Sequence, residues 1–193
     1  RNILGTPPQG RADYAFFQHI LASMDKQTGR CAILFPHGVL FRDEEKEMRQ
    51  KLVEMDKIEC IIGMGANLFF NSPMEASIVI CRSQKADARK GKILFINAIK
   101  EVVRKNGESY LENTHIEKIV GAYNNDEDVP FFSKWVRNED IQDASLNIVQ
   151  YVQPEEIVTT RQILSVEATE QAWKTQSRDI QSNINDLQKL LSL

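Results

Sequence analysis

The sequence lacks the features that mark membrane, secreted or disulfide-rich proteins. None of its apolar stretches approaches the ~20 residues needed to cross a bilayer, and no signal peptide is visible, so we expect a cytoplasmic protein that contacts no membrane. Its three cysteines are an odd number, and each lies in an apolar run: Cys31, Cys60 and Cys81. This pattern predicts buried thiols in a reducing compartment, with no metal site.

The chain also lacks an excess of positive charge. Its 24 Lys and Arg residues face 27 Asp and Glu residues, for a formal net charge of −3. A domain that grips duplex DNA alone usually carries a basic excess, because phosphate neutralisation supplies most non-specific affinity. The charge therefore argues against unaided DNA binding. The one local basic cluster comprises Arg82, Lys85, Arg89, Lys90 and Lys92, and it is either a solvated hairpin tip or a phosphate contact in a larger assembly.

Several common active-site motifs are missing from the sequence. It contains no Walker loop, HExxH or GxSxG, and its three histidines are too scattered to suggest a metal cluster. Gly63-Met64-Gly65 follows an apolar run, but the third glycine of a dinucleotide-binding turn is absent and no helix pattern follows. We therefore reject a nucleotide-binding loop at this position.

What is present is an alternation of helix and strand patterns. Residues 14–24 have apolar side chains at helical spacing, with Asp13 as the predicted N-cap, and the predicted buried face comprises Phe16, Phe17, Ile20, Leu21 and Met24. The apolar run 31–35 fits a strand covered on both faces, as in a parallel sheet. A second helix (44–55) and a second apolar strand (58–64) repeat the order, which predicts an α/β domain.

Two further strands and a helix follow. The runs 76–81 and 92–97 have no helix between them, so we expect antiparallel neighbours at a sheet edge. The next helix, 113–123, is predicted to turn Ile116, Ile119 and Val120 inward. Residues 124–128 are acidic and predict a loop, and short strands fit around 148–152.

The C-terminal segment has a different character. Neither Gly nor Pro occurs after Pro154, and apolar residues in 163–191 recur in steps of three and four. This heptad seam predicts a long helix over 161–193. The seam packs either against a partner helix or against the body of the domain, and the pattern leaves both open.

Blocks of the sequence resemble one family in order and spacing. Residues 7–19 (PPQGRADYAFFQH) are similar to the stretch after the catalytic loop of type I modification subunits, the HsdM family. Residues 29–42 (GRCAILFPHGVLFR) resemble that family's next strand and turn. The similarity continues through 49–52, 58–64, 67–70, 90–98 and 116–120, with a weaker block at 146–152.

The resemblance implies the C-terminal part of a Rossmann-like S-adenosylmethionine-dependent methyltransferase fold, followed by a long C-terminal helix. It implies transfer of a methyl group to the N6 amine of adenine in DNA, together with a specificity subunit and a motor-nuclease subunit. We expect residues 1–125 to be the C-terminal half of the catalytic domain, 126–160 an irregular connection and 161–193 a helical assembly segment.

The family's glycine-rich donor loop and its Asn-Pro-Pro-Phe catalytic loop are not found in this sequence. Thr6-Pro7-Pro8-Gln9 does not replace the latter, because Thr lacks the amide oxygen that accepts from the target amine and Gln does not stack on a flipped base. We therefore expect no catalytic residue here and an inactive fragment. The alternative function is a non-catalytic module that docks a specificity subunit through its C-terminal helix.

The resemblance also implies candidate binding residues. Phe16, with Tyr14 beside it, matches a place where related enzymes set an aromatic edge against the adenine of the cofactor. Phe69 or Phe70 matches an aromatic that stacks on the extruded base, and His37 and Gly38 lie beyond a strand end where the backbone approaches the target strand. For each aromatic, packing in the core is the alternative.

Overall fold

The computed structural model describes residues 2–69, 72–105, 108–154 and 173–177. The chain divides into two compact units, residues 1–154 and 155–193. In the second unit, only residues 173–177 are described, and they are helical. The predicted heptad seam and the rest of the segment 161–193 lie outside the described residues.

The first unit combines a central sheet with short helices. Its elements, in chain order, are α1 (Asp13–Ser23), β1 (Arg30–Pro36), α2 (Lys46–Glu54), β2 (Ile58–Met64), β3 (Ala76–Arg82), β4 (Lys92–Ala98), β5 (Val103–Lys105), β6 (Glu108–Tyr110), α3 (Asn113–Asn124), β7 (Ser133–Arg137) and α4 (Ile148–Tyr151). Five strands form one sheet in the order β1-β3-β2-β4-β7, and β5 pairs with β6 in a separate hairpin. β2 and β4 are parallel, whereas the other neighbouring pairs in the large sheet are antiparallel. The architecture is therefore α/β with a mostly antiparallel sheet.

β1 and β2 have similar apolar sequences but opposite environments. β2 is buried along its whole length, as predicted. β1 was predicted to be covered on both faces, and this is wrong: within the described sheet it is an outer strand, and Leu34 is 48% exposed. An apolar run gives the hydrophobicity of a strand but not its place in the sheet, which depends on long-range pairing.

The predicted pairing of β3 with β4 is also wrong. The two strands run in opposite directions, as expected, but β2 lies between them, and neither is at the edge of the described sheet. β3 is inserted between β1 and β2, so the polar segment before β4 crosses a strand instead of forming a hairpin tip. The two strands are close in the sequence, which favoured the prediction that they are neighbours in the sheet. In the structure, β2 pairs with both of them and separates them.

Two helices present different faces from those predicted. On α1, the buried residues are Tyr14, Phe17 and Gln18, while Phe16 is 67% exposed. Gln18 is accommodated inside because its side-chain oxygen accepts a hydrogen bond from the backbone N–H of Leu4 at 2.8 Å. On α3, Ile119 is buried as predicted, but Ile116 and Val120 are 44% and 49% exposed. Overlapping sets of residues satisfy the 3.6-residue period, and the positions of the neighbouring elements decide between them.

Asp13 does not cap α1 as predicted. Among the residues that the structure describes, no side chain caps the start of this helix, which begins at Asp13 itself. The Asp13 carboxylate instead accepts a hydrogen bond from the Arg42 guanidinium at 3.2 Å. The acidic side chain still lies in the first turn, where the helix dipole favours negative charge.

Residues 126–154, the described part of the region predicted as an irregular connection, belong to the first unit. β7 lies within 126–160 and pairs with β4 as a strand of the large sheet. The strands expected around 148–152 are wrong, because α4 occupies 148–151 and buries Ile148 in the core. Helix and strand are difficult to separate in an apolar run this short.

Two apolar clusters hold the unit together, one on each face of the sheet. The first lies under α1 and α2 and includes Phe17, Phe35, Leu52, Ile61 and Phe95. The second lies under α3 and includes Cys60, Ile62, Leu94, Ile96 and Ile119. The described residues contain no helix long and apolar enough to span a membrane.

Candidate functional site

Several of the predicted binding residues lie near one end of the strands of the sheet. β1, β2 and β4 share one direction, so their carboxyl ends meet at the same edge. The register places the last residues of these strands, Pro36, Met64 and Ala98, in one row with Ala76, the first residue of β3. Open α/β sheets bind ligands outside the carboxyl ends of their strands. We call this boundary, which runs across the ends of the strands and not along the outer strands β1 and β7, the ligand edge.

His37 lies at the ligand edge, directly after β1. Its side chain is 15% exposed, and its Nδ1 is 3.5 Å from the Glu75 carboxylate. The ring also makes an edge contact with Phe41 at a centroid distance of 5.8 Å. Within the described part of the chain, Nδ1 makes no hydrogen bond. The contact links the end of β1 to the residue before β3.

Gly38 has a local structural reason for being glycine. A Cβ atom at this position would lie 2.8 Å from the Nε atom of Arg42. Arg42 spans this turn to reach Asp13 at 3.2 Å and the fully buried Glu45 at 3.4 Å. Burial raises the pKa of Glu45, against the opposing effect of the Arg42 charge. The glycine thus leaves room for an arginine that joins α1 to the turn after β1.

Phe69 lies in the segment between β2 and β3. It forms an isolated β-bridge with Ser72, packs partly against the cluster under α3 and is half-buried. In the same segment, Gly65 is required by close packing, since a Cβ there would lie 2.7 Å from the carbonyl oxygen of Ile99. The glycine pair around Met64 therefore has a packing role. Phe70, the second predicted aromatic, lies outside the described residues.

The two predicted cofactor contacts differ in exposure. Tyr14 is 1% exposed, and its hydroxyl donates a hydrogen bond to the carbonyl oxygen of Val39 at 3.3 Å. Burial raises the pKa of Tyr14. Tyr14 therefore joins the first turn of α1 to the ligand edge from inside the core and presents almost no surface. Phe16 lies on the same first turn and is largely exposed.

The basic cluster is not a hairpin tip, which corrects the expectation from the sequence, and of its five cations only Lys90 is exposed. The Lys85 side chain is 1% exposed and lies 2.6 Å from Asp56. Arg82 and Arg89 both contact Glu59, at 2.5 and 3.4 Å. The cluster lies where β2 and β4 begin and β3 ends, opposite the ligand edge. We call this boundary the ion-paired edge.

The sequence reasoning missed the acidic partners of this cluster. Glu59 is 2% exposed and also accepts a hydrogen bond from the Tyr123 hydroxyl at 2.8 Å. Asp56 accepts from Lys85, from the backbone N–H of Gly91 and from Asn138. A signal was present, because a lone glutamate inside the apolar strand IECIIGM needs a buried partner. Glu75, the partner of His37, carried no comparable signal.

The sequence is similar to known DNA-modifying subunits. The family described as N-6 DNA Methylase matches residues 1–160. The type I restriction enzyme MjaVII methylase subunit of Methanocaldococcus jannaschii is 40% identical over 159 residues, which are 79% of this chain and 27% of that protein.

Solved structures give the same relationship. The type I restriction-modification methyltransferase subunit from Streptococcus thermophilus superposes with a TM-score of 0.70 at 36% identity, over 76% of this chain and 31% of that one. The M protein of the type I restriction enzyme EcoKI superposes with a TM-score of 0.61 over 78% of this chain and 39% of that one, and at 14% identity this likeness concerns the fold. The chain thus spans less than a third of the first relative and of the first structure.

Proposed function

The chain belongs to the N-6 DNA methylase family, and from this premise we propose that it forms one wall of the active site in the modification subunit of a type I restriction-modification enzyme. The reaction is methyl transfer from S-adenosylmethionine to the N6 amine of adenine in DNA. The observation that carries the proposal is the family match over 1–160, which includes every strand of the large sheet.

The ligand edge supplies the surface for this role. Phe16 is two-thirds exposed on the turn of α1 that Tyr14 and Asp13 fix beside residues 37–42. An exposed ring held at this place fits the adenine edge of the cofactor. The cofactor, when bound, supplies a methyl group on a positively charged sulfur, and the part of Phe16 is to orient it.

The segment between β2 and β3 holds the target base. An enzyme that modifies a base extrudes it from the duplex and stacks it in a pocket. Phe69 or Phe70 provides the stacking face, which contributes ~1–3 kcal/mol per base. His37 and Glu75 tether the start of β3, where this segment ends, to the turn after β1. In this proposal, Gly38 faces the target strand of the DNA.

The wall requires residues that this sequence does not contain. The donor loop and the Asn-Pro-Pro-Phe loop of the family are absent from the 193 residues, so the chain alone does not methylate DNA. The outer edge of β1 and the exposed side chain of Leu34 are suited to pairing with further strands of the same catalytic domain. In the cell, the complete subunit acts in the cytoplasm.

Assembly with other subunits belongs to the same proposal. The specificity subunit reads the DNA sequence, and the motor-nuclease subunit acts in cleavage. The heptad seam of 163–191 docks the specificity subunit. If docking is the only role of the chain, Phe16 and Phe69 have no part in methylation.

The experiment compares the 193-residue chain with the complete subunit that carries this sequence. Isothermal calorimetry with S-adenosylmethionine should show saturable binding at micromolar cofactor for the complete subunit and none for the chain. With the specificity subunit added, Phe69→Ala and Phe70→Ala in the complete subunit should lower methyl transfer to DNA, and Val120→Ala, on the exposed side of α3, serves as the control. Methylation by the 193-residue chain alone contradicts the proposal, and unchanged activity in both phenylalanine variants favours a docking module.

A further inference from the structure

Two cysteines face each other across neighbouring strands, away from the ligand edge. Cys31 in β1 is directly opposite Cys81 in β3 in the antiparallel register. The backbone N–H of Ser83 donates to the carbonyl oxygen of Gly29 at 2.8 Å, so the Gly29–Ser83 pair is of the hydrogen-bonded type. Pair types alternate along the strands, which makes Cys31–Cys81 the next pair of that type. Its expected Cα separation of about 5.5 Å is within the roughly 4.4–6.8 Å range that a disulfide requires.

The two thiols differ in exposure. Both are free, and Cys81 is 0% exposed, whereas Cys31 is half-buried. Cys31 is therefore the more accessible of the two to a small reagent. Cys31 faces the cluster under α1 and α2, so a further strand at the outer edge of β1 would not change the face on which this thiol lies.

The contact between the thiols makes them chemically unequal. A hydrogen bond from the Cys81 thiol lowers the pKa of Cys31 to about 7, against the opposing effect of burial. The same hydrogen bond and burial raise the pKa of Cys81, with smaller opposed effects from Lys85 and Glu59. Cys31 is the better nucleophile near neutral pH, because the thiolate is the reactive form.

The third cysteine provides an internal comparison. Cys60 in β2 lies opposite Ile80 and belongs to the cluster under α3, on the other face of the sheet from Cys31 and Cys81. It is 0% exposed, and burial raises its pKa. Cys60 is as buried as Cys81, but among the described residues no cysteine lies opposite it.

From the register and the unequal exposure, we propose that Cys31 and Cys81 are a thiol–disulfide exchange site for low-molecular-weight disulfides such as oxidised glutathione. The Cys31 thiolate attacks one sulfur of glutathione disulfide, forming a mixed disulfide and releasing one glutathione thiolate. Cys81 then attacks the sulfur of Cys31, and its proton passes to the departing sulfur, so that the second glutathione leaves as a thiol. The two protein thiols are oxidised to one disulfide, and one glutathione disulfide is reduced to two thiols.

The experiment incubates the folded chain with excess oxidised glutathione near neutral pH and maps the products by mass spectrometry. Trypsin leaves Cys60 and Cys81 in one peptide, so cleavage at Met64 and Met74 with cyanogen bromide is needed to separate them. The expected product has lost two hydrogen atoms and links Cys31 to Cys81, with Cys60 still a thiol. Absence of reaction in the folded protein, a mixed disulfide that persists, or a link to Cys60 overturns the proposal.

Two variants test the roles of the two sulfurs, and circular dichroism checks that each is folded. In Cys81→Ala, the mixed disulfide on Cys31 should accumulate because the resolving thiol is gone, and alkylation of Cys31 near pH 7 should slow several-fold. In Cys31→Ala, the reaction should be lost, because Cys81 is inaccessible. If Cys81 in Cys31→Ala is modified as fast as Cys31 is in the wild type, the proposal is wrong. If a variant does not fold, the product mapped in the wild-type protein decides the question.

Discussion

The two ends of the sheet use polar side chains in opposite ways. At the ion-paired edge, Glu59 and Lys85 are buried and surrounded by partners from distant parts of the chain. At the ligand edge, Phe16 is exposed and His37 has one long contact, with Glu75, although Arg42 also pairs there with Asp13 and the buried Glu45. The ion-paired edge is closed by internal interactions, whereas the ligand edge combines internal ion pairs with exposed side chains. The contrast indicates that substitutions at the first will cost stability, whereas those at the second will mainly affect ligand binding.

The largest effect on stability is expected from Glu59→Ala. The change leaves two arginines and the Tyr123 hydroxyl facing a buried space without their carboxylate. Breaking a buried pair in this way costs about 3–5 kcal/mol. Urea unfolding of the chain measures it, with Glu139→Ala as the control, because the Glu139–Arg137 pair is about 70% exposed on both sides. A loss of unfolding free energy no larger than that of Glu139→Ala would contradict the view that the ion-paired edge stabilises the fold.

Asp56→Asn should have the next largest effect, and one that depends on pH. Burial opposes ionisation of Asp56, but hydrogen bonds from Lys85, Gly91 and Asn138 lower its pKa overall. Its contribution is therefore complete above the unfolded pKa of about 3.9 and is lost as pH falls through the folded pKa. We expect Asp56→Asn to cost about 1–3 kcal/mol at neutral pH and to flatten the dependence of unfolding free energy on pH below about 4.

The control for this experiment is Asp126→Asn, at a carboxylate that is 60% exposed and pairs with Arg89 at 3.1 Å. It should leave both the stability at neutral pH and its dependence on acid nearly unchanged. Equal acid sensitivity in wild type and Asp56→Asn would mean that other carboxylates cause the acid loss.

A smaller effect is expected at the ligand edge from His37→Gln. The Glu75 carboxylate is 45% exposed, so the pair contributes about 0–1 kcal/mol. Glu75→Gln should cause the same change, and the double variant should add nothing further if the two side chains act only through each other. Unfolding free energies of the four proteins form the cycle, and fully additive losses would rule out a direct coupling.

The smallest change in stability is expected from Phe16→Ala. Because the ring is largely exposed, unfolding free energy should stay within about 0.5 kcal/mol of wild type, while cofactor affinity of the complete subunit falls. The neighbouring Phe17→Ala is the matched control: that ring is 1% exposed, and its loss should cost about 3–5 kcal/mol. Similar losses in the two variants would show that Phe16 is a packing residue after all.

Local patterns predicted the elements better than their arrangement. The bounds of α1, α2, α3 and of the strands β1 to β4 lie within a few residues of the predicted spans, since periodicity and apolar runs are local properties. The insertion of β3 between β1 and β2 was not predictable in the same way, because strand order depends on pairing between distant segments. The exposed position of Phe16 was missed because Phe16 and Phe17 both fit the helical period.

The same limit applies to the sites. The local sequence from Arg82 to Lys92 shows the cations of the cluster and one acid, Asp87, which pairs with Lys90. The other partners, Asp56, Glu59 and Asp126, come from before and after it. The family resemblance identified the methylase relationship because it used blocks of sequence spread over the whole unit. The binding roles of Phe16, Phe69, Phe70, His37 and Gly38 remain predictions for the complete subunit.

The strand order has a consequence for the growth of this chain on the ribosome. β1 emerges before β2, yet the strand that holds β1 within the sheet, β3, is translated after both. Until β3 has emerged from the ribosome, the apolar β1 lacks its partner in the described sheet and is a target for chaperones or for wrong pairing. A pause in translation before β3 has emerged should therefore increase aggregation of the nascent chain, whereas a pause after it has emerged should not.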